Sequence, residues 1–254
     1  MQISWELPKE KKGIITILDN KYEWLLPWWI ENIKKNSDLP FAFFDLGMSE
    51  NAKKKAQKLG YVFDLKDFVE YFEKFKIDPT QKKLFLNLME EGFEDFRAKW
   101  FCKPIAMMKT PFEKTLFLDL DCQVLKPLDH IFKSLDKHDF AVCEETKIRH
   151  EILVKNMVRF QDEKTFNSGV IAYRHKSKII ESWAKESLQN SSYFLGDQDI
   201  LSRVIYKNDF EPFILNPKWN QRVDSKTKNG YINHYVGGLN KIKLLKSLFK
   251  KNTN

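Results

Sequence analysis

The sequence has no Cys-x-x-Cys pair, no zinc-finger spacing and no run of glycines. Its three cysteines, Cys102, Cys122 and Cys143, are odd in number and far apart. That excludes a disulfide framework and predicts reduced thiols packed in the core of a cytoplasmic protein. Long apolar runs are missing too. The longest near the start, 24–30, is too short to cross a bilayer and carries Pro27. The first dozen residues are charged and contain Pro8, so they do not read as a secretory signal. There is no basic arm and no RNA-binding aromatic motif, so nucleic acid is not an expected partner. There is also no internal repeat and no low-complexity linker, and 254 residues suffice for one large α/β domain.

What is present begins with charge. Lys and Arg exceed Asp and Glu by 43 to 35, a formal net charge of +8. A basic surface favours anionic partners, such as acidic lipid or a phosphorylated small molecule. The most informative stretch is 115–123, TLFLDLDCQ. Its apolar start reads as a buried strand covered on both faces. Ending in Asp119-x-Asp121 places two carboxylates at a carboxyl edge, where open α/β sheets bind ligands. Two carboxylates so close repel unless a cation neutralises them, and hard oxygen ligands favour Mg²⁺ or Mn²⁺.

The chain before this stretch alternates strand and helix. Residues 13–18 read as a strand and 22–35 as a helix with Trp24, Trp28 and Trp29 on its apolar side. Residues 41–45 form a second strand, 49–59 a helix capped by Ser49 and stopped by Gly60, and 61–63 a third strand. This β-α-β-α-β order predicts a parallel sheet that takes a nucleotide-sized ligand. Residues 65–109 read as helical, with Pro104 as a breaker. Beyond the two aspartates, strands are expected at 138–143, 166–173, 212–215 and 231–235. Helices are expected at 148–160, 177–188 with Ser177 as cap, and 200–206 opened by Gly196-Asp197-Gln198-Asp199, with 219–222 as loop. The tail, 239–251, is a basic amphipathic helix with Ile242, Leu245 and Phe249 on one face and Lys243, Lys246 and Lys250 away from it. It either docks on its own domain or makes a peripheral contact with an anionic membrane. The domain reading is 1–238 for the body and 239–254 for the tail.

Five motifs now stand in order: LDNKY at 18–22, LDLD at 118–121, FNSG at 166–169, GDQD at 196–199 and INHYVG at 232–237. The set resembles the retaining glycosyltransferases of family 8, whose members include glycogenin and the bacterial lipooligosaccharide galactosyltransferases. The resemblance implies a single GT-A domain, α/β, with a mixed, mostly parallel central sheet flanked by helices. It implies transfer of a hexose, with retention, from a nucleoside diphosphate sugar, a UDP-sugar above others. The acceptor would be a saccharide or a lipid-linked glycan of an envelope, as in lipopolysaccharide biosynthesis. Asp119, Asp121 and His234 resemble the family's metal ligands for Mn²⁺ (or Mg²⁺). Asp19 and Asn20 resemble the residues at the base and ribose, and Asn167, Ser168 and Gly169 the turn that shapes the sugar pocket. Asp197 and Gln198 resemble the catalytic pair beside the sugar, and Gly237 belongs to the late motif. Lys103 matches loosely the basic residue that meets a phosphate. The family's late lysine falls on Asn240 here, and no Pro-Trp follows, so Lys241 or Lys243 would take its place.

Three other functions share parts of this pattern. Haloacid dehalogenase phosphohydrolases also end a strand in Asp-x-Asp, but Gln123 and Leu201 stand where they need Thr or Val and a further Asp. Sugar nucleotidyltransferases need a glycine-rich loop after the first strand, and 18–21 has no glycine. A non-catalytic nucleotide- or sugar-binding module would keep the same binding residues without turnover.

Overall fold

In the first strand, β1 (Glu10–Leu18), Ile14 and Ile15 are both fully buried but belong to opposite faces. A strand covered on both sides needs apolar residues at every position, which the run GIITIL supplies. The computed structural model describes residues 3–85, 88, 93–225 and 229–251, apart from the side chains of 95 and 249–251.

Chain order continues with α1 (Leu26–Lys34), β2 (Phe41–Asp45), α2 (Glu50–Gln57), β3 (Gly60–Asp64), α3 (Lys66–Glu73), α4 (Pro79–Phe85), α5 (Glu94–Phe101) and α6 (Lys103–Met108). Then come β4 (Phe112–Leu118), β5 (Cys122–Val124), β6 (Phe140–Glu144), α7 (Lys147–Lys155), β7 (Phe166–Arg174), α8 (Lys178–Asn190) and α9 (Asp197–Lys207). The last elements are β8 (Phe213–Ile214), β9 (Gln221–Arg222), β10 (Ile232–His234) and α10 (Gly238–Lys251). Pro27 sits in the first turn of α1, where its missing N–H costs nothing.

Seven strands form one sheet in the order β3-β2-β1-β4-β7-β6-β8. The β3, β2, β1 and β4 strands run parallel, β7 is antiparallel to both β4 and β6, and β8 is parallel to β6. The chain moves outward from β1 to β3, then returns to place β4 on the other side of β1. That reversal makes the β1/β4 carboxyl ends a topological switch point, where a crevice opens. One core layer packs Ile15, Phe117, Ile105 and Trp183 against one face of the sheet, and a second packs Ile14, Leu116, Trp29 and Phe43 against the other. A three-stranded sheet, β5-β10-β9, folds over the second layer and brings β10 back beside the two aspartates. Among the described residues, no helix is long and apolar enough to cross a membrane.

Four local expectations need correction. Gly60 does not stop α2. It opens β3, because a Cβ there would lie 2.1 Å from the Phe41 carbonyl oxygen. Ser177 precedes α8 but makes no side-chain cap. Residues 217–222 are a 3₁₀ turn followed by β9 rather than loop, because β9 pairs in parallel with β10. The inward residues of α10 are Asn240, Leu244 and, half-buried, Lys241 and Leu248, whereas Ile242 is half exposed. Phe249 and Lys250 lie outside the residues whose side chains are described.

Candidate active site

Asp119 follows β4 directly, and its backbone is fixed from both layers. Its N–H donates to the Gly169 carbonyl at 2.9 Å, and its carbonyl accepts from the buried Trp29 indole at 3.1 Å. A turn then carries Asp121 to the start of β5, which pairs antiparallel with β10 so that Cys122 faces His234. The His234 Nε2 atom lies 3.2 Å from Asp121 Oδ1 and 3.9 Å from Asp119 Oδ2.

A hydrogen-bonded chain orients the imidazole. His234 Nδ1 lies 2.8 Å from Asn220 Oδ1, and the Asn220 amide donates to Asn167 Oδ1 at 2.8 Å. Asn167 in turn donates to Glu145 at 2.9 Å and accepts from the Gly169 N–H at 3.0 Å. With Nδ1 held against an amide oxygen, Nε2 is the nitrogen aimed at the carboxylates. That is the supporting arrangement metal-binding histidines usually have. Gly169 is required by the imidazole itself, since a Cβ there would lie 2.1 Å from His234 Cε1.

The donor types suit a divalent cation: His234 Nε2 faces Asp121 and, farther off, Asp119, while Asp121, Cys122 and His234 group most tightly among the described residues. Buried Cys122 also lies close to Asp121 and His234. Its thiol donates to the Gly169 carbonyl, and burial raises its pKa well above the ordinary value.

Lysines converge on the same carboxylates. Lys103, at the start of α6, reaches Asp119 at 3.2 Å, Asp197 at 3.2 Å and Ser168 Oγ at 3.0 Å. Burial disfavours its charge, but Asp119 and Asp197 outweigh that and raise its pKa. Lys241 on α10 reaches Asp121 Oδ2 at 2.5 Å, and the same balance of burial against a carboxylate raises its pKa. Burial also acts against Asp121, yet Lys241 and His234 pull its carboxyl well below the usual range. Asp119 is raised instead, by burial first, with Lys103 opposing and Asp121 adding to the rise.

The other predicted residues line the same edge. Asp19 ends β1, accepts from the N–H groups of Lys21 and Tyr22, and pairs with Lys99 at 2.7 Å. The Asn20 side chain is exposed, and its N–H is bonded to the Gly47 carbonyl. Asp197 opens α9, accepts from Ser168 Oγ at 2.7 Å, and has its carbonyl held by the Trp183 indole at 3.0 Å. Gln198 is half-buried one residue on. Gly237 takes φ +83°, a left-handed conformation that suits glycine, and turns the chain from β10 into α10.

Sequence reasoning missed Lys99, Glu145, Trp29, Trp183 and Asn220. Lys99 was within reach: it precedes Lys103 by four residues, one helical turn. The others act through contacts 14 to 90 residues apart in sequence, which no local pattern encodes.

Residues 11–137, half of the chain, match the model of the family Mannosyl_trans3, whose description is "Mannosyltransferase putative". No curated protein matches the sequence. Similar folds occur in mouse xyloside xylosyltransferase 1 in its apo form, at 13% identity and TM-score 0.57 over 89% of this chain and 97% of that one. They also occur in the galactosyltransferase LgtC in complex with donor and acceptor sugar analogues, at 16% identity and TM-score 0.58 over 89% and 87%. A third is the bifunctional glycosyltransferase WbbM, at 15% identity and TM-score 0.60 over 93% and 47%. These likenesses establish a GT-A fold, and by the match over half its length the chain belongs to the Mannosyl_trans3 family of glycosyltransferases.

Proposed function

We propose that the protein transfers a hexose, with retention and with Mn²⁺ (or Mg²⁺), from a nucleoside diphosphate sugar to a saccharide or lipid-linked glycan. The observation that carries this reading is the convergence of Asp119, Asp121 and an oriented His234 at the β1/β4 switch point. The family description favours mannose as the hexose, and the resemblance to family 8 favours a UDP-sugar. Asp119, Asp121 and His234 would hold the cation, which supplies Lewis-acid stabilisation of a leaving diphosphate.

The chain's own residues divide the remaining work. Asp19 and Asn20 sit where a base and ribose would meet the end of β1. Lys103 and Lys241 provide positive charge where a leaving diphosphate gains negative charge, which lowers the barrier to departure. Asn167, Ser168 and Gly169 border the sugar position. Gln198 presents a neutral amide beside Asp197, suited to support developing positive charge on the sugar without protonating it. The 1–238 body, with Lys241 from the tail, would hold donor and acceptor. The 239–254 tail would bring the protein to the inner face of a membrane, where a lipid-linked acceptor resides.

The test is release of nucleoside diphosphate from UDP-glucose, UDP-galactose and GDP-mannose with Mn²⁺ present. One donor should be consumed by the wild type and not by Asp119→Asn or Asp121→Asn. Gln198→Ala should bind that donor nearly as well but turn over at least about a hundredfold more slowly, as for a contact made in the transition state. Equal turnover in Gln198→Ala removes it from the mechanism. Binding without release from any donor would select a binding module instead.

A further inference from the structure

The carboxylates read above as metal ligands already have cationic partners. Lys103 Nζ lies 3.2 and 3.3 Å from the two oxygens of Asp119. Asp121 is split between two partners, His234 at Oδ1 and Lys241 at Oδ2, 2.5 Å away. Its side chain is only 7% exposed, so a cation has no free oxygen of Asp121 to approach from another side.

The two lysines are not equivalent. The Lys103 side chain is 5% exposed and is also tied to Ser168 and Asp197, so it is locked in place. The Lys241 side chain is 22% exposed, and among the described residues Asp121 is the one carboxylate it pairs with. It stands in the first turn of α10, just after the left-handed Gly237, whose carbonyl its own N–H meets at 3.3 Å. A flexible ammonium on a four-carbon stem at that place can swing without unpacking the helix, whose buried anchor is Leu244.

Resting on the metal reading above, we infer that Lys241 is an intramolecular competitor of the divalent cation. In the nucleotide-free protein its ammonium takes the Asp121 oxygen that the cation needs. A diphosphate supplies a richer anion nearby, draws the ammonium off Asp121 and opens that oxygen to the cation. Lys241 thereby couples cation and nucleotide binding, so the site takes the pair together and discriminates against cation alone. By linkage, each ligand strengthens the other by the same factor.

The experiment is a Mn²⁺ titration of nucleotide-free protein, with free Mn²⁺ read by electron paramagnetic resonance, repeated with saturating UDP and GDP. Lys241→Met should bind Mn²⁺ about tenfold or more tightly than wild type without nucleotide. It should also gain less from nucleotide. Lys241→Arg, which keeps the charge, should stay near wild type, as should Lys246→Met on the exposed side of α10. Thermal melting checks that each variant folds, and Lys241→Gln carries the same expectation should the methionine variant fail. Nucleotide-free Mn²⁺ affinity in folded Lys241→Met equal to or weaker than wild type overturns the competition while leaving the metal site intact. No Mn²⁺ binding by any variant, with or without nucleotide, overturns the metal reading itself.

Discussion

At the scale of single residues, the proposed site depends as much on support as on ligands. Asn220 touches neither carboxylate, yet it sets which nitrogen of His234 faces them. Losing such a support typically weakens metal binding by roughly 10- to 100-fold. Asn220→Ala should therefore lower Mn²⁺ affinity in that range. Unaltered Mn²⁺ affinity would show that the imidazole needs no such support. The candidate ligands themselves were legible from residue type and motif order. Asn220 was not, because its meaning lies in contacts with Asn167 and His234, 53 and 14 residues away. Gly169 shows a subtler gap. It was expected within the turn that shapes the sugar pocket, and the structure shows that its smallness gives room to the His234 ring.

At the scale of elements, α10 joins the body to the site. Leu244 is 2% exposed within the core layer that holds Trp29 and Leu116, while Lys241 reaches Asp121 three residues earlier. Leu244→Ala should cost about 3 kcal/mol, the usual range for a buried leucine, read as a lower urea midpoint. A midpoint within error of wild type would mean that the helix is not part of the cooperative unit. Helical periodicity was clear in the sequence, but its phase was not. Ile242 and Leu245 fit one stripe, whereas Leu244 and Leu248 fill the one that packs. The choice was made by the surface beneath, which a single helix cannot encode. The outward side leaves Leu239, Ile242, Lys243 and Lys246 exposed, apolar next to basic. Vesicles with anionic lipid should bind the protein at low salt and release it at high salt. Ile242→Glu should abolish that binding without unfolding the chain. Binding unaffected by both salt and Ile242→Glu would remove the tail from any membrane contact.

At the scale of the whole molecule, the sheet was read well where it is local and parallel. Strands β1 to β4 follow from apolar runs separated by helices, and their order puts the β1 and β4 carboxyl ends side by side. The second half was harder. Strand β7 enters antiparallel beside β4, and β5 and β9, which were not expected as strands, are only three and two residues long, too short to leave a periodic signal. The strand that carries His234 was expected at 231–235, but the antiparallel pairing with β5 that brings it to the aspartates was not. On this reading the site takes a nucleoside diphosphate together with a divalent cation. Calorimetric titration with UDP, GDP, CDP and ADP, each with and without Mn²⁺, tests it most directly. One of the four should bind, and its binding should require Mn²⁺. Failure of all four to bind folded protein, or binding indifferent to Mn²⁺, would contradict it.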